Sequence, residues 1–402
     1  MQASKIGFGR LFKVLVCVLL LLASVGVCSI ANGLSGARTS MSVASPSLGV
    51  IPTTMWVDQY DFTGYDFVAV DESLATGQAG SYENPYAIRN PKDLTFLSVA
   101  SRVATNASFA GVFFRQVGNI DLSANKWTPI GSSAYRFAGT YDGDENNIIG
   151  MCISEQRGTY LGLFSYLSGA TMIDIVFDDG YVSTDVVGTS REAYVGMLAG
   201  HAQNTEFVRI KTDGSVSAPA NYIGGIVGAA VINGTNPTLR TFEDCENGAT
   251  VTGEYRTGGL TGSSLGYNFT GCTNEAVVTS NAYSTSTVIG VAVSSCVGGL
   301  VGYIEGNDPI TIENCHNNNE VIARGINRDA ATENKKIAAN YAGGLVGYSV
   351  STRVIISFID CTNEGAVTAS GSYVGGLGGR VDFITVTRCA NTAPITAGVK
   401  YS

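Results

Sequence analysis

Gly298-Gly299-Leu300-Val301-Gly302, followed by Cys315-His316-Asn317, is the stretch on which the reading of this chain turns. The five-residue unit recurs as Gly224-Gly225-Ile226-Val227-Gly228, Gly258-Gly259-Leu260-Thr261-Gly262, Gly343-Gly344-Leu345-Val346-Gly347 and Gly375-Gly376-Leu377-Gly378-Gly379. A degenerate copy stands at Gly196-Met197-Leu198-Ala199-Gly200, and Gly162-Leu163-Phe164 is weaker still. Each later copy is followed by Cys-x-Asn, at Cys245/Asn247, Cys272/Asn274, Cys315/Asn317, Cys361/Asn363 and Cys389/Asn391. Short β-forming runs come next, such as Gly248–Val251, Glu275–Val278, Glu320–Ile322 and Gly365–Val367. Two motifs kept in one order five times over mark an internal repeat. The last glycines fall at 200, 228, 262, 302, 347 and 379, so the steps are 28, 34, 40, 45 and 32. Unequal steps suit a solenoid, because each rung contacts only its neighbours and accepts insertions at its turns.

The fold predicted is all-β, a right-handed parallel β-solenoid with an N-terminal capping helix. The Leu or Ile of each motif points inward and stacks on its counterpart, each burial stabilising by roughly 1.5–3 kcal/mol. Gly225, Gly228, Gly259, Gly262, Gly299, Gly302, Gly344, Gly347, Gly376 and Gly379 permit tight corners, positive φ and close backbone approach. The Asn of Cys-x-Asn tolerates left-handed backbone and bonds its own turn, and stacked Asn side chains can bond from rung to rung. The first reading of the Cys column is small thiols filling an interior stripe. Neighbouring strands about 4.8 Å apart also fall within disulfide reach, so bridges between rungs stay open. A metal site needs closer ligand spacing than this.

Working outward, Lys5, Arg10 and Lys13 precede an apolar run, Val14–Cys28, and small residues around Ser29-Ile30-Ala31. This reads as a secretory signal peptide; a retained signal anchor and lipidation at Cys28 are the rival modes. The organisation expected is 1–31 leader, 32–79 flexible or extended segment, 80–194 cap and first rungs, and 195–402 repeat solenoid. Met55–Val70 reads as an extended strand pair. Asn90 as N-cap, Pro91 at the first position and Asp93 in the first turn open a helix with Leu94, Leu97, Ala100 and Val103 on one face. Its use is to hide the open end of the solenoid. Val112–Val117, Ile148–Ile153 and Met172–Phe177 read as strands. The inserts Asn281–Ser295 and Arg324–Asn340 are the most individual surface.

Composition narrows the function classes. The formal net charge is −9 and only 14% of residues are charged, which disfavours nucleic acid. The chain has two histidines, His201 and His316; the first reads as exposed, the second as a turn residue. There is no His-Glu-x-x-His and no phosphate-cradling Lys-Ser/Thr, and no catalytic, cofactor or metal residue is nominated. Calcium is a minor option at Asp142, Asp144, Glu145 and Asn146, whose oxygens cluster without EF-hand spacing. Sequons stand at Asn106, Asn233 and Asn268.

The chain resembles the GLUG-motif repeat proteins of bacterial surfaces, which include regions of immunoglobulin A protease-type polypeptides. The likeness rests on Gly299–Gly302 and Gly344–Gly347, and upstream on Tyr86-Ala-Ile, Asn119-Ile-Asp-Leu-Ser123, Trp127-Thr-Pro-Ile-Gly131 and Phe137-Ala-Gly-Thr-Tyr-Asp-Gly143. Asp142–Asn146 departs from the usual Asp-Gly-Asn-Gly-His, and no peptidase region is present. The resemblance implies a β-solenoid and a cell-surface or secreted setting, not a reaction. The function expected is an adhesin-like scaffold or spacer whose partner is a surface protein or glycan. One alternative is a β-helix carbohydrate-active enzyme using Asp174, Asp178, Asp213, Glu243 or Asp244. Another is a module of a larger assembly, self-associating edge to edge.

Overall fold

Each Gly-Gly copy turns a corner between a strand of one parallel sheet and a strand of the next. The computed structural model describes residues 51–74, 78–103, 108–155, 158–185, 192–233, 240–284, 295–327, 340–349, 354–371 and 373–398. The leader, the Val103 side chain, Asn106, and most of the two inserts lie outside this described set.

One turn of the chain shows the plan. Arg256–Gly258 belongs to sheet I, Thr261–Leu265 to sheet II and Asn268–Thr270 to sheet III. Thr273–Asn274 and Val278–Ser284 both belong to sheet IV, and Ser295–Gly298 then re-enters sheet I. The next turns repeat this order, pairing in parallel register with the turn before. Sheets I and II hold 7 strands each, sheet III 10 and sheet IV 15. The chain is therefore an all-β, parallel solenoid of stacked turns.

The core follows from alternation. The sheet IV strand Glu246–Gly253 buries every second residue, as a strand with one wet face must. Inside sheet III, Phe207, Phe242 and Phe269 stack at 4.4 and 5.0 Å. Ile226, Leu260, Leu300 and Leu345, one per motif, are fully buried.

The expected strands Ile148–Ile153 and Met172–Phe177 are each cut in two. Gly150 (φ 61°) and Asp174 (φ 54°) take left-handed backbone and turn the chain into its next strand. The Asp174 corner, from sheet III into sheet IV, recurs at Arg209, Asp244, Gly271, Asn314, Asp360 and Arg388, all with positive φ. The left-handed residue thus precedes the Cys; it is not the Asn, and it is not a motif glycine.

The helix α1 (Pro91–Val103) forms as the sequence predicts. Asn90 Oδ1 accepts from the amides of Lys92 and Asp93, at 3.0 and 3.1 Å. Leu94, Leu97 and Ala100 are fully buried in the main core. Ser98 donates to the Thr128 carbonyl, and the Gly131 amide donates to Ser101, which fixes the helix over the first turns. Met55–Val70 forms no strand pair. It packs as a 3₁₀ turn at Trp56–Asp58 and an aromatic run in which Phe67 meets Phe96, Phe109 and Phe114. Aromatic area holds the middle of this segment down, and single β-bridges from Met55 to Lys126 and from Ala69 to Tyr86 tie its two ends.

Candidate binding groove

The two repeat motifs lie at opposite corners and touch through the interior. At the corner between sheets III and IV, the Asn Nδ2 of each turn donates to the Oδ1 of the next. Asn247, Asn274, Asn317, Asn363 and Asn391 are linked at 2.7, 2.7, 2.6 and 2.6 Å. Each Nδ2 also donates to a carbonyl two residues on, such as Ala249 and Ala276. Thr212 Oγ1 donates to Asn247 and heads the ladder at 2.9 Å. The second motif glycine backs onto this amide. A Cβ at Gly225, Gly259, Gly299, Gly344 or Gly376 would overlap the Asn of its own turn. None of these glycines has positive φ, so the expected need for positive φ gives way to close approach alone. This contact explains why the two motifs travel together.

The cysteines are free thiols. Cys245, Cys272, Cys315 and Cys361 are buried, with Cys389 half-buried. Cys272 donates to the Phe242 carbonyl at 3.3 Å and Cys361 to that of Ile312 at 3.3 Å. Burial drives the Cys245, Cys272 and Cys315 thiols well above their ordinary pKa.

The corner between sheets I and II carries different residues on its outer face. Along sheet I the outward position reads Tyr160, Tyr194, Tyr222, Arg256, Cys296, Tyr341 and Tyr373. Along sheet II it reads Tyr166, His201, Ala229, Ser263, Tyr303, Tyr348 and Arg380. Side chains from the two sheets meet across the corner. Ring centroids lie 5.7 Å apart for Tyr160/Tyr166, 5.3 Å for Tyr194/His201 and 4.3 Å for Tyr341/Tyr348. Outward side chains converge in this way only where the outer surface is concave, so the corner is a groove.

Within the groove, Tyr160, Tyr194 and Tyr222 stack face to face at 5.0 and 4.4 Å. Arg256 interrupts the tyrosines. Its guanidinium lies 5.2 Å from the Tyr222 ring and 3.8 Å from that of Tyr303, and it donates to Ser263 Oγ at 3.3 Å. Arg136 covers Tyr166 at 4.4 Å and bonds Gln203 at 3.0 Å. Burial raises the phenol pKa of Tyr166, Tyr194, Tyr303 and Tyr348. His201 is not surface-exposed as expected. It stacks on Tyr166 at 4.4 Å, and burial, with Arg136 adding, lowers its pKa to about 4. Three carboxylates lie along the row: Glu305, which accepts from Tyr303 at 2.8 Å, Asp382, which pairs with Arg380 at 3.4 Å, and Glu192 near Tyr194.

A second groove, of about 540 Å³, runs along the corner between sheets III and IV. Its lining includes Asp174, Arg209, Lys211, Asp244 and Glu246. Arg209 binds Asp174 through two bonds, at 2.5 and 2.9 Å, and Lys211 lies 3.6 Å from Glu246. Of the five acids weighed for carbohydrate chemistry, Asp174 and Asp244 line this groove, with Arg209 in the turn between them. Asp178 and Asp213 sit on sheet IV strands instead. Asp142 is engaged by Arg115 at 3.0 Å and by the Asp144 amide at 2.9 Å. Among the described residues no group of three or more His, Cys, Asp or Glu is placed to hold a metal. His316 is a strand residue rather than a turn residue, its Nδ1 2.8 Å from Thr362 Oγ1.

The tyrosine groove was not read from the sequence, although a signal for it exists. A tyrosine stands two residues before the motif at Tyr194, Tyr222, Tyr341 and Tyr373, and directly after it at Tyr303 and Tyr348. What one dimension hides is that these two columns face each other.

Known proteins share parts of this pattern. Residues 293–322 match the GLUG motif, so the chain carries the repeat that its glycine units resemble. A protein of Evansella cellulosilytica named "Putative Gly-rich membrane protein" is 30% identical over 138 residues, 33% of this chain. The match spans 15% of that relative's length. A crystal structure from Bacteroides ovatus, titled as a "putative immunoglobulin A1 protease", is similar with a TM-score of 0.49 and 18% identity. The likeness covers 80% of this chain and 81% of that one. Among the described residues no helix is long and apolar enough to cross a membrane.

Proposed function

We propose that the chain is an exported, cell-surface or secreted scaffold that binds a surface partner through the groove between sheets I and II and performs no catalysis. The observation that carries this reading is the groove itself. Tyr and Arg are the residues that dominate binding hot spots, and stacked tyrosines present rigid contact area at little entropic cost. The inserts 281–295 and 324–340 precede the sheet I strands that carry Cys296 and Tyr341, so both are tethered to strands of the groove. A surface setting is supported by the relative whose printed name is a membrane protein and by the leader-like start of the chain. Non-catalysis is supported by the acids near Arg209. A hydrolase needs two cooperating carboxyls, whereas Asp174 is committed to a cation.

The test is an array of matrix proteins, cell-surface proteins and glycans, probed with the parent protein and with a Tyr222→Ala/Tyr341→Ala double variant. Binding that the double variant loses supports the reading. Binding to none of the array, or equal binding by both proteins, removes it.

A further inference from the structure

We propose that the groove takes an acidic glycan, one bearing carboxylates on its sugars, with Arg256 as the carboxylate-binding residue. This inference rests on the binding role proposed above and names its ligand.

The argument begins with charge. The chain carries 33 Asp and Glu against 24 Lys and Arg, so an arginine here has an abundance of acids to meet. Six described arginines do so: Arg89 with Asp93, Arg115 with Asp142, Arg209 with Asp174, Arg240 with Glu206, Arg380 with Asp382 and Arg388 with Asp360. Arg256 and Arg136 do not. Their described partners are neutral: Tyr222, Tyr303 and Ser263 for Arg256, Tyr166 and Gln203 for Arg136. Arg256 is only partly exposed, and a guanidinium held between two rings is pre-oriented, so it loses little freedom on binding. Its planar fork matches a carboxylate in two parallel hydrogen bonds.

The neighbours decide what bears that carboxylate. Beside Arg256 the sheet II column drops to Ala229 and Ser263, and the smaller side chains let the Arg256 guanidinium lie between Tyr222 and Tyr303. Because Tyr160, Tyr194 and Tyr222 stack on one another, their edges and hydroxyls, not their faces, point outward. A comb of neutral hydroxyls at strand spacing suits a polymer rich in hydroxyls along its length.

The experiment uses the whole protein with three soluble probes: polygalacturonate, the same polymer with its carboxyls methyl-esterified, and poly-glutamate. Titration calorimetry is expected to show binding to polygalacturonate alone, weakened by salt. Arg256→Gln should reduce that affinity by about tenfold, the loss of charge-assisted bonds, and Arg256→Lys should restore only part of it. Arg136→Gln, at an exposed site, should weaken binding less and serves as a second variant if R256Q does not fold. Equal binding to the esterified polymer, equal binding to poly-glutamate, or an unchanged R256Q and R136Q pair would each overturn the inference. The two readings fail separately. A groove that still binds a partner in the array, lost in the tyrosine double variant, keeps the binding role even if polygalacturonate is ignored.

Discussion

The corner between sheets I and II and the corner between sheets III and IV are built by the same repeat, yet they are used in opposite ways. At the second corner the repeated residues face inward. Asn317 is fully buried, bonded to both neighbouring turns, and its amide fills the space left by Gly299. At the first corner the glycines and leucine are fixed by packing, but the outward positions vary between Tyr, Arg, Cys, His, Ala and Ser. Constancy in this chain marks where backbone and amide must fit together. Variation marks where the molecule meets its surroundings.

The sharpest break of that contrast is at Gly299. A valine there would overlap the Gly344 carbonyl and the Asn317 amide, and neither can move without breaking its own ladder. Gly299→Val is expected to abolish the cooperative unfolding transition, as overpacking against backbone does. The matched outward change, Tyr303→Ser, should cost about 1 kcal/mol or less, since its ring is only half-buried. Urea unfolding followed by circular dichroism distinguishes the two. Comparable losses would mean that the outer face is as structural as the inner one.

Next in size is Asn317→Ala. It removes one residue but strands two buried partners, the Nδ2 of Asn274 and the Oδ1 of Asn363. An unsatisfied buried polar group costs about 1–3 kcal/mol, so a loss of about 3 kcal/mol or more is expected from the unfolding midpoint. Asn391→Ala, at the partly exposed last turn, strands a single partner, Asn363, and should cost clearly less.

These two corners also show what was legible from residues alone. The parallel solenoid, the coupled motifs and the capping helix could be read because each repeats a local physical demand: a buried Leu, a close approach at Gly, an N-cap at Asn90. Left-handed corners were placed three residues too late, on Asn, because Asp, Arg, Gly and Asn alternate at the true site and leave no constant letter. The groove escaped because its columns are contributed by different strands. Their meeting depends on the angle of the corner, which no spacing records.

A smaller effect comes from His201, the one imidazole inside the groove. Its pKa in the folded protein, about 4, lies below the ordinary value of 6.5. The unfolded chain therefore binds the extra proton first, and folding stability rises with pH across the window from 4 to 6.5. The stability that neutral His201 protects is fully present above pH 6.5 and is lost progressively as pH falls toward 4. The loss is at most about 3 kcal/mol. His201→Gln should flatten this part of the pH–stability curve. A parent and variant that run parallel from pH 7 to 4.5 would show that the imidazole is solvated, and the groove more open there than its ring contacts indicate.

The least costly intervention tests the inner corner chemically. A thiol reacts as its thiolate, and burial holds Cys245, Cys272 and Cys315 protonated. Of the seven cysteines from Cys152 onward, Cys389 alone is not buried. Brief alkylation of the native protein is expected to label Cys389 and leave the other six intact, with little change in melting temperature. All should react once the protein is unfolded in urea. Early labelling of Cys315 would mean that the turns separate on the timescale of the reaction. The Asn ladder beside that thiol would then be a breathing seam, and the contrast between a fixed inner corner and a receptive outer one would have to be redrawn.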